Sequence, residues 1–384
     1  MNTPTRPRTR PFVVDMDSHV MEPADLWENY LEPEYRDRAI HVRKNADGLE
    51  ELVVDNKVLL KGRLAALGGV EHRADELFIK PDIPYLEGCP EASYNTEARV
   101  AMLDEWGVDA GAVFPTIGIL WDKPDDPELA MAYARAYNNW QWDFASPALD
   151  RIIPIAHIPL YDVELALAEL RRCIKLGFKG MFLAPEPVGG KRPSHPDFDP
   201  LWQELVAADM PICIHLIVRF DRVINLSATN WWNPEKEPMN TVFSFALGGT
   251  MQLIPATAAL ICDGLFDRFP KLKVAIVESG AGYACYLMDR LDEKYARFGN
   301  LAPLKRPPSE YMKENFWFVM DPSEQSIDAQ CDLLGEEHFL WGSDYPHVDS
   351  HADAITEVHA ALAPMTEHRR NLVLGGNAVK LFNL

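Results

Sequence analysis

Eight short runs of β-branched and aromatic residues alternate with longer amphipathic stretches along most of this 384-residue chain. The short runs are typical of buried strands, and the longer stretches are typical of helices. We predict strands at residues 12–16, 110–114, 152–156, 180–183, 211–214, 274–277, 316–320 and 339–342. We predict helices at residues 97–106, 127–145, 163–176, 200–208, 282–298 and 326–334, among others. Strict alternation of strand and helix implies a parallel sheet with crossover helices.

Eight such units in a chain of this length favour a closed (β/α)8 barrel of the α/β class, the TIM-barrel fold, with loop insertions. The competing fold is an open doubly wound sheet, which carries a Gly-rich phosphate turn after its first strand. In this chain the first predicted strand runs into Asp-Ser-His-Val-Met, which has no glycine. The sequence therefore favours the barrel.

We predict a single domain over residues 1–384 with two insertions, at residues 40–95 and 216–240. The first insertion has the pattern of a β-hairpin. The second follows the fifth predicted strand and contains Trp231 and Trp232. Long loops after barrel strands belong to the active-site face, so this insertion is either a lid or a loop that the two tryptophans pack down.

Charge and composition limit the classes of partner. The formal net charge is −21, whereas nucleic acids and anionic membranes are bound by clustered Lys and Arg. Residues 1–11 are basic and Pro-rich without a following apolar segment, so we expect a flexible tail and no signal peptide. We see no apolar run of transmembrane length. Six cysteines without CxxC spacing indicate reduced thiols. These features predict a cytoplasmic protein that acts on a small-molecule substrate.

Ionisable side chains stand at the carboxyl ends of four predicted strands, where barrel enzymes carry their chemistry. The four ends carry, in chain order, Asp15 and Asp17 with His19, then His215, then Glu278, and finally Asp344 with His347. Alternation along the first strand directs Asp17 and His19 into the barrel mouth. One terminal Asp is often a helix cap and one His is often a core residue, but four such ends together predict a metal site. Carboxylates and imidazoles without thiolate suit Zn, Mn or Fe.

These motifs resemble the amidohydrolase superfamily, in the amidohydrolase-2 branch that includes the aminocarboxymuconate semialdehyde decarboxylase-like proteins. The resemblance covers the whole barrel and extends to residues 277–283 and 342–347. It implies a metal-dependent enzyme with Asp17, His19, His215 and Asp344 as the metal ligands.

The chain departs from the family pattern at two strand ends. Many of the decarboxylases have a catalytic histidine at the end of the sixth strand, where this chain has Glu278. Binuclear hydrolases of the superfamily use a carboxylated lysine at the end of the fourth strand, but Lys179 lies at the beginning of that strand. Glu278 and His347, with His351 as a further candidate, could instead hold a second metal, because a carboxylate can bridge two ions.

We therefore expect a decarboxylase or hydrolase that acts on a small organic carboxylate or amide. His215 and Asp344 act with the metal, and Glu278 acts as acid, base or ligand. One alternative is a dinuclear non-haem Fe or Fe/Mn oxygenase that hydroxylates a small molecule. Another is a non-catalytic partner subunit of a homologous enzyme. We expect a homodimer or a complex with a homologous chain.

Two further side chains have open roles. His157 follows the third predicted strand and either faces the site or packs against its own loop. Arg219 lies shortly after His215 and either binds a substrate carboxylate or lies on the surface.

Overall fold

The computed structural model describes residues 10–384 except 73–75, 78–79, 81, 121–124, 219–240 and 351–352. Its centre is a sheet of eight parallel strands, which we number with the three strands of the first insertion in chain order. The barrel strands are β1 (Val14–His19), β5 (Ala110–Phe114), β6 (Ile152–His157), β7 (Gly180–Leu183), β8 (Ile212–His215), β9 (Val274–Val277), β10 (Phe316–Met320) and β11 (Phe339–Trp341).

The sheet closes into a barrel between its first strand and the segment that follows its last strand. Neighbouring strands pair in parallel in chain order from β1 through β5 to β11. The backbone amides of Ser343 and Asp344 both donate to the carbonyl of Asp17, at 3.1 and 2.7 Å. The amide of His19 donates to the carbonyl of Tyr345 at 2.6 Å. The predicted (β/α)8 barrel is confirmed.

The strand predictions differ from the structure mainly at the first strand. Four of the eight have the predicted bounds, and three others agree within one residue. The first strand runs over Val14–His19 instead of residues 12–16. The prediction followed the apolar run and stopped near Asp15, but the strand continues through both aspartates because their buried carboxylates find partners inside the barrel mouth.

Helices surround the barrel, and all six predicted helices are present within one residue of their expected bounds. The helix Val163–Leu176 shows why: Asp162 accepts a hydrogen bond from the first turn, and Gly177 ends the helix in the left-handed conformation. The described helices are Leu26–Tyr30, Thr96–Trp106, Pro127–Ala145, Val163–Leu176, Asp199–Ala208, Thr241–Cys262, Leu265–Arg268, Tyr283–Phe298, Pro308–Asn315, Ile327–Leu334, Ala354–Leu362, Glu367–Asn371 and Asn377–Phe382.

The hydrophobic core fills the barrel and the layer between its strands and the outer helices. Trp27, Trp202 and Trp341 are all at most 1% exposed in this core. Burial of an apolar side chain of ordinary size contributes about 1.5–3 kcal/mol. The apolar core therefore supports a rigid barrel, and polar groups gather at its mouth.

The first insertion contains an antiparallel sheet of the strands β2 (His41–Lys44), β3 (Glu50–Val54) and β4 (Lys57–Lys61). Asp55 and Asn56 form its two-residue turn with φ of 49° and 61°. Such a turn matches the twist of the paired strands. The predicted hairpin is confirmed.

Most of the second insertion, including Arg219, Trp231 and Trp232, lies outside the described residues, as do residues 1–9 of the predicted tail and His351. The helix Thr241–Cys262 follows it and was not predicted. By length and composition alone, Phe245–Cys262 is apolar enough to cross a membrane, so the expectation of no such run is wrong. Gly, Thr, Gln and Pro interrupt this apolar run, so the sequence alone did not indicate a long apolar helix.

That helix packs one face on the barrel. Leu253, Leu260 and Ile261 are at most 1% exposed, and 44% of the apolar segment is buried within the protein. Core helices of barrel proteins combine the same length and composition. Its first half carries exposed apolar side chains, among them Val242 and Leu247.

Candidate metal centre

The structure brings all six predicted site residues together at the carboxyl-terminal end of the barrel. Three of them lie on strands, and we call Asp17, His19 and His215 the strand-borne ligands. The other three follow β9 and β11, and we call Glu278, Asp344 and His347 the loop-borne groups. The strand-borne ligands are at most 3% exposed, and the carboxylates of Glu278 and Asp344 are each 16% exposed.

The three strand-borne ligands and Glu278 form one compact group. The Nε2 atoms of His19 and His215 are 3.1 Å apart. Oδ1 of Asp17 lies 3.4 Å from the first and 3.5 Å from the second. Oε2 of Glu278 lies 2.9 Å from Nε2 of His215. In this group the ligand atoms all lie within 4.8 Å of one another, as a shared metal ion requires.

A second group overlaps the first and shares His19 and Glu278 with it. Nδ1 of His347 lies 2.8 Å from Oδ1 of Asp344, and that oxygen lies 3.5 Å from Nε2 of His19. The rings of His19 and His347 are 3.9 Å apart between centroids. Two overlapping sets of ligand atoms therefore meet at Glu278 and His19.

The hydrogen bonds around the imidazoles fit a metal. Nδ1 of His19 lies 2.9 Å from the carbonyl of Pro115, and Nδ1 of His215 lies 2.8 Å from the carbonyl of Leu216. A ring nitrogen that faces a carbonyl carries a proton, so in the neutral rings both Nε2 atoms present lone pairs to each other. A cation between them removes that repulsion.

The carboxylates fit a metal for a related reason. Oδ1 of Asp17, Oε2 of Glu278 and Oδ1 of Asp344 are buried and accept no well-aligned hydrogen bond from the described residues. Buried oxygens without donors cost free energy of about 1–3 kcal/mol each. Coordination to one or two divalent ions satisfies all three.

The carboxylates of the site differ in the direction in which their pKa values are shifted. Burial opposes ionisation of Asp17, but its contacts with His19 and His215 outweigh burial and lower its pKa. Burial raises the pKa of Glu278 to about 7 and raises the pKa of Asp344 well above its ordinary value. Burial lowers the pKa of His215, but the charges of Glu278 and Asp17 raise it to about 10. In the chain without an ion, a proton on His215 thus supplies the positive charge that this cluster attracts.

Two of the three loop-borne groups have a backbone conformation that the strand-borne ligands lack. Glu278 and Asp344 have φ of 55° and 56°, in the left-handed region that side chains rarely adopt. Such residues cost about 1–3 kcal/mol each and cluster at functional sites. Gly249 leaves room for this turn, because a Cβ there would lie 2.6 Å from the carbonyl oxygen of Glu278.

Asp15 holds the two sides of the site together although it is not a ligand. Its Oδ2 accepts from the hydroxyl of Ser343 at 2.6 Å, and its Oδ1 accepts from the amide of Ser343 at 3.0 Å. The pairing of β1 with β5 shifts between Asp15 and Ser18, which marks a bulge. Asp15 therefore fixes the segment that carries Asp344 against the first strand.

Two residues of the site were missed by sequence reasoning. The hydroxyl of Thr116 lies 3.0 Å from Nε2 of His347. The buried carboxylate of Glu22 accepts from the amides of Thr116, Ile117 and Gly118 at 2.9–3.2 Å. Burial raises the pKa of Glu22 to about 7 despite these donors. Only the proximity of Glu22 to His19 in the sequence gave any signal, since the partners lie over 90 residues away.

A cleft adjoins the metal centre on the side of β6 and β7. His157, Phe182 and Ile217 line it together with Tyr161 and Glu186. The rings of Phe182 and His215 are 6.0 Å apart between centroids, so the cleft begins one aromatic ring away from the ligands. The walls of the cleft are mostly apolar, so they favour contact with an apolar or aromatic group.

Barrel and site together are those of an α/β-barrel protein with a candidate metal centre. The family model described as amidohydrolase matches residues 96–384, and the chain belongs to that family. It is 25% identical over 300 residues to the 2-amino-3-carboxymuconate-6-semialdehyde decarboxylase of Dictyostelium discoideum, covering 76% of this chain and 77% of the relative. It is also 25% identical over 305 residues to the gamma-resorcylate decarboxylase of Rhizobium sp., covering 75% and 87%. The predicted branch of the superfamily is confirmed.

Solved structures agree in fold over the whole chain. An amidohydrolase from Mycobacterium avium subsp. paratuberculosis superposes with a TM-score of 0.79 at 22% identity, over 98% of this chain and 100% of that one. A dihydroxybenzoic acid decarboxylase from Polaromonas, with bound manganese, superposes with a TM-score of 0.66 at 19% identity, over 98% of each chain. The manganese is bound by that neighbour, and membership of the amidohydrolase family makes this protein an enzyme.

Proposed function

We propose that this protein is a decarboxylase of a small aromatic carboxylic acid, with a divalent Mn, Zn or Fe ion held by Asp17, His19, His215 and Asp344. The first three belong to the compact group, and Asp344 joins them from the second group, where its Oδ1 lies 3.5 Å from Nε2 of His19; Glu278 of the compact group is then left for proton transfer. The observation that carries the proposal is the convergence of buried carboxylate oxygens, which accept no well-aligned hydrogen bond from the described residues, on two imidazole nitrogens that present lone pairs in the neutral rings. The apolar cleft beside this cluster and the two decarboxylases among its relatives support the substrate class.

The chain's own residues account for the proton in this reaction. An ion held by the four ligands would supply positive charge that binds and orients the anionic substrate. Glu278 is placed to exchange a proton, since its buried carboxyl lies beside the ligands, 2.9 Å from Nε2 of His215, and burial favours its neutral form. Its carboxyl donates this proton to the ring carbon that bears the carboxylate. The carbon–carbon bond then breaks, its electron pair stays on the ring, CO2 leaves, and Glu278 regains a proton from water.

The experiment is a CO2-release assay of the manganese-loaded protein with 2,6-dihydroxybenzoate and other hydroxybenzoates. We expect CO2 and the decarboxylated ring in equal amounts, and no reaction after removal of the metal. Absence of CO2 release from every acid of the series, with metal bound, contradicts the proposal.

A second candidate is a two-metal centre, and the second ligand group favours it. His19 and Glu278 belong to both groups, so a second ion would be held by these two residues together with Asp344 and His347. Such a centre suits hydrolysis, or oxidation by dioxygen if the ions are iron or iron with manganese. Two metal equivalents per chain together with substrate-dependent oxygen uptake identify the oxygenase. Two equivalents without oxygen uptake identify a hydrolase.

We further propose a cytoplasmic enzyme that associates with itself. The six cysteines are free and five are buried, as expected in a reducing compartment. Exposed apolar side chains at the start of the helix Thr241–Cys262, such as Val242 and Phe245, support self-association. Sedimentation analysis is the test, and a monomer at micromolar concentration contradicts this part.

A further inference from the structure

The cleft beside the metal centre contains an imidazole that is not a ligand. His157 is the last residue of β6 and is 6% exposed. Its ring lies edge-on to Phe182 with centroids 4.9 Å apart. Since Phe182 lies between His157 and His215, the imidazole of His157 stands at the part of the cleft remote from the ligands. Sequence reasoning left the role of this residue open.

A buried polar network fixes the position of His157. The side-chain amide of Asn138 donates to the carbonyl of His157 at 3.0 Å and accepts from its amide at 2.9 Å. The same amide group donates to Glu169 at 2.8 Å, and Glu169 is paired with Arg172 at 2.7 Å. Asn138 and Glu169 are 0% and 3% exposed. Fully satisfied buried networks rigidify the backbone that they bind, so the end of β6 is held in place.

Gly118 shapes the wall beside this imidazole. A Cβ on Gly118 would lie 3.1 Å from Nδ1 of His157 and 2.5 Å from Cβ of Pro115. The amide of Gly118 is in turn held by Glu22 at 3.2 Å. The chain thus keeps the smallest residue next to the ring, and the loop that carries it is itself bound in place.

We infer that His157 is a substrate-binding residue that hydrogen-bonds to a hydroxyl group on the substrate ring, at the end opposite to the carboxylate. This inference rests on the proposed function. Between the carboxylate end and the hydroxyl end of the substrate, the aromatic ring of Phe182 can contact the substrate ring. Glu186 lines the same cleft, and its negative charge disfavours a second carboxylate there. The substrate class is therefore a hydroxylated aromatic monocarboxylic acid.

The test uses two probes that differ by one hydroxyl, 2,4-dihydroxybenzoate and 2-hydroxybenzoate, bound to the manganese-loaded protein and measured by calorimetry. We expect the wild type to prefer the dihydroxy acid by about ten-fold, the value of one hydrogen bond. His157→Phe should abolish this preference and leave the affinity for 2-hydroxybenzoate unchanged. His157→Gln, which keeps a hydrogen-bonding group, should restore part of it.

The matched control is His338→Phe. His338 is also a buried histidine, 8% exposed and bonded to the carbonyl of Phe316, but it precedes β11 at the opposite end of the barrel. It should retain the preference. Manganese content, measured by elemental analysis, should equal that of the wild type in all variants.

Each remaining outcome decides the inference. Equal affinity of the wild type for the two acids, no binding of either acid, or an undiminished preference in His157→Phe overturns it. An intact preference that depends on His157, without CO2 release from either acid, leaves the binding role standing and refutes the proposed decarboxylation.

Discussion

The strand-borne ligands and the loop-borne groups occupy one site but are built differently. Asp17, His19 and His215 lie within hydrogen-bonded strands and are almost fully buried. Glu278 and Asp344 lie just beyond strands, in left-handed backbone, and are partly exposed. The sheet fixes the first set, whereas close packing holds the second against strain. We propose that the strand-borne ligands provide the part of the metal site that the sheet holds in place, and that the loop-borne groups complete this site and determine which chemistry it performs.

The largest effect is expected from loss of His19, the imidazole that belongs to both overlapping sets of ligand atoms. His19→Ala should weaken metal retention more than the roughly 10–100-fold typical of residues outside the ligand sphere. Activity should disappear with the metal. Elemental analysis and circular dichroism check this, and a folded variant with full metal content would contradict the assignment of His19.

A smaller and more selective effect is expected at the loop-borne side. Glu278→Gln should lower kcat by about 10²–10⁴-fold, because the proton donor is lost while the size of the side chain is kept. Metal analysis separates its two roles: an unchanged single equivalent fits proton transfer, and a fall from two equivalents to one fits a bridging ligand. Unchanged kcat excludes both roles.

The packing that holds the turn at Glu278 can be weakened by a substitution in the helix Thr241–Cys262. In Gly249→Ala the new Cβ meets the carbonyl oxygen of Glu278, so the helix or the turn must shift, at a cost of about 1–3 kcal/mol. We expect lower kcat with metal still bound by the strand-borne ligands. Gly376→Ala is the milder control, because the atoms nearest to its Cβ, the carbonyl oxygen of Asn371 and Cδ2 of Leu372, lie 3.2 and 3.3 Å away and do not belong to the site. Equal kcat for the two variants would count against the role of packing here.

The smallest effect is expected at Glu22, whose carboxylate accepts hydrogen bonds from backbone amides of the loop that follows β5. Its folded-state pKa of about 7 exceeds the usual carboxyl value of about 4.3. Its contribution to stability is therefore complete below about pH 4.3 and is lost as the pH rises through about 7. Glu22→Gln should lose less unfolding free energy than the wild type between pH 5 and 8, as measured by urea denaturation. Equal losses contradict the raised pKa.

The sequence predicted the barrel and the six site residues because both depend on local signals. Strand runs and strand ends are visible in the sequence, and alternation placed Asp17 and His19 on one side of β1. The contacts of Thr116 and Glu22 were not predictable, because partners far apart in the chain meet only in the closed barrel. The helix Thr241–Cys262 was missed because it lacks a clear polar face, so no helical period stood out.

The most direct test of the metal centre compares the metals retained by the wild type and by Asp344→Asn, both purified without chelator. We expect about one equivalent of manganese, zinc or iron per wild-type chain, or two in the dinuclear case. Asp344→Asn should keep the fold and lose metal, because the amide is a weaker ligand than the carboxylate. Equal metal content in the two proteins, or none in the wild type, would contradict the account of this site.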